Sequence, residues 1–435
     1  MRLDIILSKQ DENDKKAAMD FTAEEYRERR IRFTRTMNSR YPRWEMAVFI
    51  DNVNQFYFTG TMQDGILFIL RDAASLGGSR LLYGVRRSFA RAKMESPLFA
   101  DTHRQLGMTE EIMPMASYRD IAERFIGAFQ LSSEPGGVYI EGDTMTVAVL
   151  ERLRKYFLVR SPAFLDTVIR TVRSVKSEAE LRLIRISGER HRILLEERVP
   201  ALLREGISEA EFLGEVIAEM YRLGYQGLAR FHQTQTEISI GQIGFGINSL
   251  YPSRFDGPGG MKGGGAAVPL GAGDTRLKKG DAVFVDIAFG MGGYHTDKTQ
   301  VYFFGAEPPG EFKKAHQFCV EIQKRASERL VPGEIPSKIY QDIISSLNES
   351  ELDCFMGVDN SHRVKFLGHG TGLNVDDFPV IAKGFDEPLE ENMVIALEPK
   401  KGVKRIGLAG VEDTYIVKPN ACCCVTGGGR DIIRV

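Results

Sequence analysis

The segment DAVFVDIAFGMGGYHTDKTQVYFF, from Asp281 to Phe304, constrains this chain more than any other. Two β-branched and aromatic runs flank Gly290-Met291-Gly292-Gly293, which reads as a hairpin turn by composition. With Met291 and Gly292 as the loop residues, Gly290 pairs with Gly293, and Asp286 stands directly opposite Asp297 on one face. Their Cβ atoms would then be about 5 Å apart, and like charges at that spacing destabilise a hairpin. Two readings follow: the hairpin is a solvated edge, or a cation sits between the carboxylates.

The rest of the chain supplies the frame for that hairpin. At 435 residues it is too long for one ordinary core, so two domains are expected. With 43% hydrophobic and 27% charged residues it has the balance of a globular protein rather than a disordered one. A formal net charge of −2 gives no electrostatic reason to expect nucleic acid or an anionic membrane as partner. The opening stretch MRLDIILSKQDENDKK mixes charges without a long apolar run and does not read as a signal peptide. No apolar run approaches the roughly 20 residues a spanning helix needs. A cytoplasmic chain with no membrane partner is expected. Five cysteines, three of them adjacent at Cys422, Cys423 and Cys424, match no zinc pattern and read as small buried residues in or after a strand. A reducing compartment fits that reading.

The first ~170 residues alternate strand-like stretches (Met46–Ile50, Gly65–Leu70, Val138–Ile140) with helical periodicity over Met145–Phe157. A change of character follows at Arg173, which sets expected domains at 1–173 and 174–435. Ser177 and Glu180 form a capping box that opens a helix toward Arg204, stopped by Gly206. A second box, Ser208 to Glu211, opens a helix that ends near Gly224. The glycine-rich stretch Asp256–Asp274 contains no nucleotide fingerprint and reads as a surface or active-site loop. Strands are expected at Ala282–Phe289, Tyr294–Phe304, Met393–Leu397 and Val411–Val417, with a helix over Gly310–Arg329.

Three later features bear on the aspartate pair. FLGHGTGL sets His369 between glycines, where its ring can be closely approached. Glu398 ends the apolar strand MVIALEP, and Glu412 begins a strand in GVEDTYIV. Each residue alone reads as ordinary polar surface. Asp286, Asp297, His369, Glu398 and Glu412 together read as a metal site.

VDIAFGMGGYHTDKTQ, FLGHGTGL, MVIALEP and GVEDTYIV resemble, in order and spacing, the metallopeptidases of the pita-bread fold. That family includes methionine aminopeptidase, aminopeptidase P and prolidase. RSVKSEAELRLIR, DNVNQFYFTG and VRRSFARAKMES extend the resemblance to the prolidase and aminopeptidase P branch. The implied fold is α+β: a C-terminal pita-bread (creatinase/aminopeptidase-like) domain preceded by a smaller α/β creatinase-type domain. The resemblance implies that Asp286 holds one ion, Asp297 and Glu412 bridge two, and His369 and Glu398 hold the second. Two divalent ions per chain follow, Mn²⁺ first, with Co²⁺, Fe²⁺ or Zn²⁺ compatible with four carboxylates and an imidazole. The implied chemistry is cleavage of Xaa-Pro peptides or small amino-acid derivatives by a metal-activated hydroxide, with Glu398 as proton shuttle. A homodimer is also implied.

The sequence departs from the family at three places. Ser253 and Asp376 stand where the peptidases carry substrate-contacting histidines, and Gln300 or Val301 replaces a usual arginine. His295, on the same strand face as Asp297, is a candidate stand-in. Ser253, His295 and Asp376 are therefore the candidate substrate contacts, and Asp376 with Asp377 would suit a cationic group. These departures keep two alternatives open: a creatinase- or lyase-like enzyme acting on a small cationic metabolite, and a non-catalytic binding protein.

Overall fold

A computed structural model of the chain describes residues 21–99, 110–129, 137–157, 159–233 and 236–435. The opening stretch read above for a targeting signal lies outside the described residues. The chain divides between Arg173 and Ser174 into two compact units, Met19–Arg173 and Ser174–Val435.

In the first unit six strands form one mixed sheet: β1 (Met46–Phe49), β2 (Gly65–Arg71), β3 (Ser79–Val85), β4 (Glu110–Pro114), β5 (Val138–Ile140) and β6 (Ala163–Phe164). Their order is β4-β3-β2-β1-β5-β6, and β1 pairs antiparallel with β2 but parallel with β5. A parallel neighbour needs a long crossover connection, and helices supply it. The helix Val147–Phe157 buries Leu153 and Phe157, and Phe157 meets Phe68 of β2 with ring centroids 4.8 Å apart.

The second unit opens with α1 (Glu178–Arg192) and α2 (Glu209–Arg222), each begun by the expected capping box at Ser177 and Ser208. α1 does not continue regularly to Arg204. It passes into a π-helical turn over Ile193–Arg198 and a 3-10 turn over Val199–Leu202. Pro200 has no N–H to give the ladder, which accounts for the break. Three further helices follow, α3 (Gly310–Ser327), α4 (Pro336–Ser345) and the single turn α5 (Glu349–Leu352).

Two sheets carry the site. The first orders β17 (Ile433–Arg434), β9 (Tyr294–Phe303), β8 (Ala282–Met291) and β7 (Gly241–Phe245). The second orders β11 (Asp377–Ala382), β10 (Phe366–Gly370), β12 (Val394–Leu397), β15 (Asp413–Ile416) and β16 (Cys423–Cys424). A two-stranded ribbon, β13 (Lys400–Val403) with β14 (Gly407–Gly410), stands beside them. A bridge between Thr299 and Glu412 joins the two sheets. Every residue of β8 and β9 is buried, so the hairpin is no solvated edge. Val283, Val285, Ile287 and Phe289 face Leu194, Leu195, Phe212 and Val216 of the helical layer. Period-two alternation then turns Asp286 to the opposite face.

The hairpin register differs from the one expected. Gly292 and Gly293 are the central residues, with φ of 59° and 83°, and Met291 pairs with Tyr294. A two-residue turn that matches strand twist needs positive φ at both central positions, and Gly-Gly meets this where Met-Gly does not. Asp286 therefore faces Thr299, and Asp297 faces Ala288. The two aspartates share a face as diagonal neighbours rather than a directly opposed pair. The cysteines also differ from expectation: Cys422 and Cys424 are half-buried, Cys423 is exposed, and all three thiols are free.

Candidate metal centre

The junction of the two sheets brings Asp286, Asp297, His369, Glu398 and Glu412 together. Asp286 comes from β8, Asp297 from β9 and His369 from β10. Glu398 lies just past the end of β12 and Glu412 just before β15; the neighbouring pair Leu397 and Asp413 is in register. Backbone bonds fix these ends: Glu398 N–H donates to the Leu367 carbonyl at 3.0 Å, and Thr299 N–H to the Glu412 carbonyl at 3.3 Å.

One half of the cluster surrounds His369. Its Nε2 lies 3.3 Å from Glu398 Oε1, 3.9 Å from Asp297 Oδ2 and 3.9 Å from Glu412 Oε1. Its Nδ1 stands 3.1 Å from the Gly370 carbonyl, so a proton on Nδ1 is held there and Nε2 is turned to the carboxylates. No protein hydrogen-bond donor reaches the buried Glu412 Oε1 among the described residues. Carboxylate oxygens with an imidazole nitrogen are the donor set of a hard-to-borderline divalent cation, and this half fits one.

The other half holds an ammonium. Lys400 Nζ lies 2.8 Å from Asp286 Oδ2, 2.8 Å from Glu398 Oε2 and 2.9 Å from Glu412 Oε2. A lysine has three N–H donors, and here each meets a carboxylate. The side chain is fully buried. Taking an ammonium out of water costs several kcal/mol unless it is paired in this way. Thr299 completes this half: its hydroxyl is 2.9 Å from Asp286 Oδ1 and 3.0 Å from Glu412 Oε2. Glu398 and Glu412 thus split their oxygens, one each toward Lys400 and one each toward His369.

The electrostatics follow from this packing. Burial and the Asp286 charge push Asp297 up to about 8. Burial and the Asp297 charge hold Glu412 well above the usual carboxylate range. Burial would also raise Glu398, but Lys400 and His369 outweigh it and its pKa falls. Burial alone would lower His369, yet Glu398 and Asp297 carry it up to about 9. Lys400 is likewise opposed by burial and raised far above its ordinary value by Asp286, Glu398 and Glu412.

The glycine-rich stretch reaches this cluster. A Cβ added at Gly259 would collide with Gln242 Oε1 and stand 3.5 Å from Asp286 Oδ2, so a larger residue there would have to displace the Gln242 amide or the loop. Gln242 pairs with Asp286 across β7 and β8, is buried, and among the described residues its side-chain amide has no hydrogen-bond partner.

The candidate substrate contacts are placed differently. His295 is buried, with Nδ1 3.0 Å from the Gly372 carbonyl and Nε2 3.0 Å from the Leu228 carbonyl. Burial and the nearby Arg230 bring its pKa down to about 4. Both ring nitrogens face backbone carbonyls, and the neutral ring, with one N–H, donates to one of the two. Ser253 Oγ accepts from Phe255 N–H at 3.3 Å within its own turn. Asp376 Oδ1 accepts from His232 N–H at 2.5 Å, and burial raises its pKa. Gln300 points to the far side of β9 from Thr299, where its Nε2 donates to the Asp431 carbonyl at 2.9 Å.

The family model for metallopeptidase family M24 matches residues 182–419, more than half of the chain. The chain belongs to metallopeptidase family M24. This M24 chain is 25% identical over 386 residues to an Xaa-Pro dipeptidase of Pyrococcus furiosus, covering 88% of this chain and 93% of that one. It is 29% identical over 289 residues to an Xaa-Pro dipeptidase of Pyrococcus horikoshii, covering 65% and 71%. The prolidase structure from Pyrococcus furiosus superposes with a TM-score of 0.67 at 21% identity, over 90% of this chain and 98% of that one. These likenesses show the pita-bread fold preceded by an N-terminal domain, and the M24 chain is a metallopeptidase by family.

Proposed function

We propose that this M24 chain hydrolyses small proline-containing peptides of the Xaa-Pro type at the His369 half of the cluster. The observation that carries the reading is the convergence of His369 Nε2 with Glu398 Oε1, Asp297 Oδ2 and Glu412 Oε1 within 3.3–3.9 Å. The Xaa-Pro dipeptidases it resembles supply the substrate class. His369, Asp297, Glu398 and Glu412 would hold the divalent ion, with Mn²⁺ the first to test and Fe²⁺, Co²⁺ and Zn²⁺ also compatible. Such an ion supplies Lewis acidity toward a scissile carbonyl.

Glu398 is the proton carrier in this reading. Lys400 fixes its Oε2 at 2.8 Å and lowers its pKa, so its other oxygen faces the site ionised at neutral pH. That oxygen would give one lone pair to the ion, and with the other it can take a proton from water and return it to the leaving amine. His295 and Asp376 hold the walls: the His295 backbone N–H donates to the Gly372 carbonyl, its ring packs beside the Leu228 carbonyl, and Asp376 joins the segment after β10 to His232. Pairing into a homodimer belongs to the same reading and is checked by light scattering. The deciding experiment is release of free proline from a panel of Xaa-Pro dipeptides and longer Xaa-Pro peptides by Mn²⁺-loaded protein. Release from none of them overturns the reading.

A further inference from the structure

The Lys400 ammonium stands where a second ion of a pair would have to bind. An ion held by Asp286, Glu398 and Glu412 would need their oxygens at about 2.0–2.6 Å. The nitrogen already lies 2.8–2.9 Å from those same three oxygens, so ion and ammonium would claim one position. Two cations at that separation, away from water, repel strongly.

The lysine has no alternative place. Its backbone is locked in β13: Lys400 pairs with Gly410, and Met356 N–H donates to the Lys400 carbonyl at 2.8 Å. Its stem fills the space left by Gly410, where an added Cβ would stand 2.8 Å from Lys400 Cγ, and Gly410 has the glycine-favouring φ of 152°. The ring centroid of Phe284 lies 5.9 Å from Nζ, and no part of the side chain reaches solvent.

We propose that the site is a one-ion centre in which Lys400 is a permanent, covalently tethered second cation. The ion takes His369, Asp297 and the Oε1 atoms of Glu398 and Glu412, while Lys400 takes Asp286 and the two Oε2 atoms. This departs from the expectation of two ions per chain, and it rests on the reading of the cluster as a metal centre.

The test is metal stoichiometry, read separately from activity. The full chain saturated with Mn²⁺ and freed of excess should carry one ion by elemental analysis, and its paramagnetic resonance spectrum should be that of an uncoupled ion. Lys400→Ala should carry two, with the spectrum of a spin-coupled pair. Two coupled ions in the unaltered chain would overturn the proposal and leave the metallopeptidase reading intact. No ion in either protein would overturn both. A folded Lys400→Ala chain that stays at one ion would overturn the role given to Lys400. If that variant does not fold, the unaltered chain alone decides.

Discussion

Lys400 Nζ donates to Glu398 Oε2 at 2.8 Å, from a position two residues further along the same chain. Pro399 separates the two residues, one just past β12 and the other opening β13, and both side chains point into the same buried cluster. The position of the proposed proton carrier is therefore set by a cation that the chain itself provides.

Removal of that cation should weaken the metal-free fold. Lys400→Ala leaves Asp286, Glu398 and Glu412 buried without their counter-charge, which by analogy with broken buried ion pairs costs about 3–5 kcal/mol. Urea unfolding of the metal-free variant should show this loss. Added Mn²⁺ should restore some of it, and acid should shrink the difference by protonating the carboxylates.

Metal binding should compete with protons. In the metal-free chain His369 is raised from 6.5 to about 9 and Asp297 from 3.8 to about 8. Because both pKa values are raised on folding, their contributions to metal-free stability are complete below 3.8 and 6.5 and are lost as pH rises through about 8 and about 9. An ion must displace those protons, so affinity should climb from pH 6 to about 9. Calorimetry at pH 7 in buffers of different ionisation heat should report proton release. A pH-independent affinity with no release would contradict the assignment.

The five residues of the cluster were legible in the sequence, because β8, β9, β12 and β15 advertise themselves as strands that the four acidic residues interrupt or bound, and His369 stands between glycines. The hairpin register was misread by one residue, although the signal was present: Gly292-Gly293 suits a two-residue turn better than Met291-Gly292. Only the Gly292-Gly293 pair satisfies that geometry. Lys400 was missed for a different reason. EPKKG reads as a charged surface turn, and nothing local says that the ribbon β13–β14 folds it inward. Strand parity with Glu398, two positions away, was the available signal. His295 was legible as facing the Asp297 side, but the backbone carbonyls that hold its ring come from segments distant in sequence.

Glu398→Gln should lower kcat toward Xaa-Pro dipeptides by about 10²-fold or more, as expected when a general acid–base is lost. Steady-state kinetics on metal-loaded protein checks this. A fall in apparent affinity with kcat unchanged would assign Glu398 to binding alone.

Gly259→Ala should disturb the site without touching its ligands. The added methyl collides with Gln242 Oε1 beside Asp286, so either the loop or the Gln242 amide must shift. Activity should fall about tenfold, while His369 keeps its ion and metal content is unchanged. Unaltered kinetics would show that the loop's approach to Asp286 has no bearing on turnover.

The most direct test is the anomalous scattering of crystals of the unaltered chain soaked in Mn²⁺. One peak should appear within coordination distance of His369 Nε2, Asp297, Glu398 Oε1 and Glu412 Oε1, with Lys400 still bonded to Asp286. No peak at His369, or a second peak bound to Asp286 with Lys400 displaced, would contradict this account.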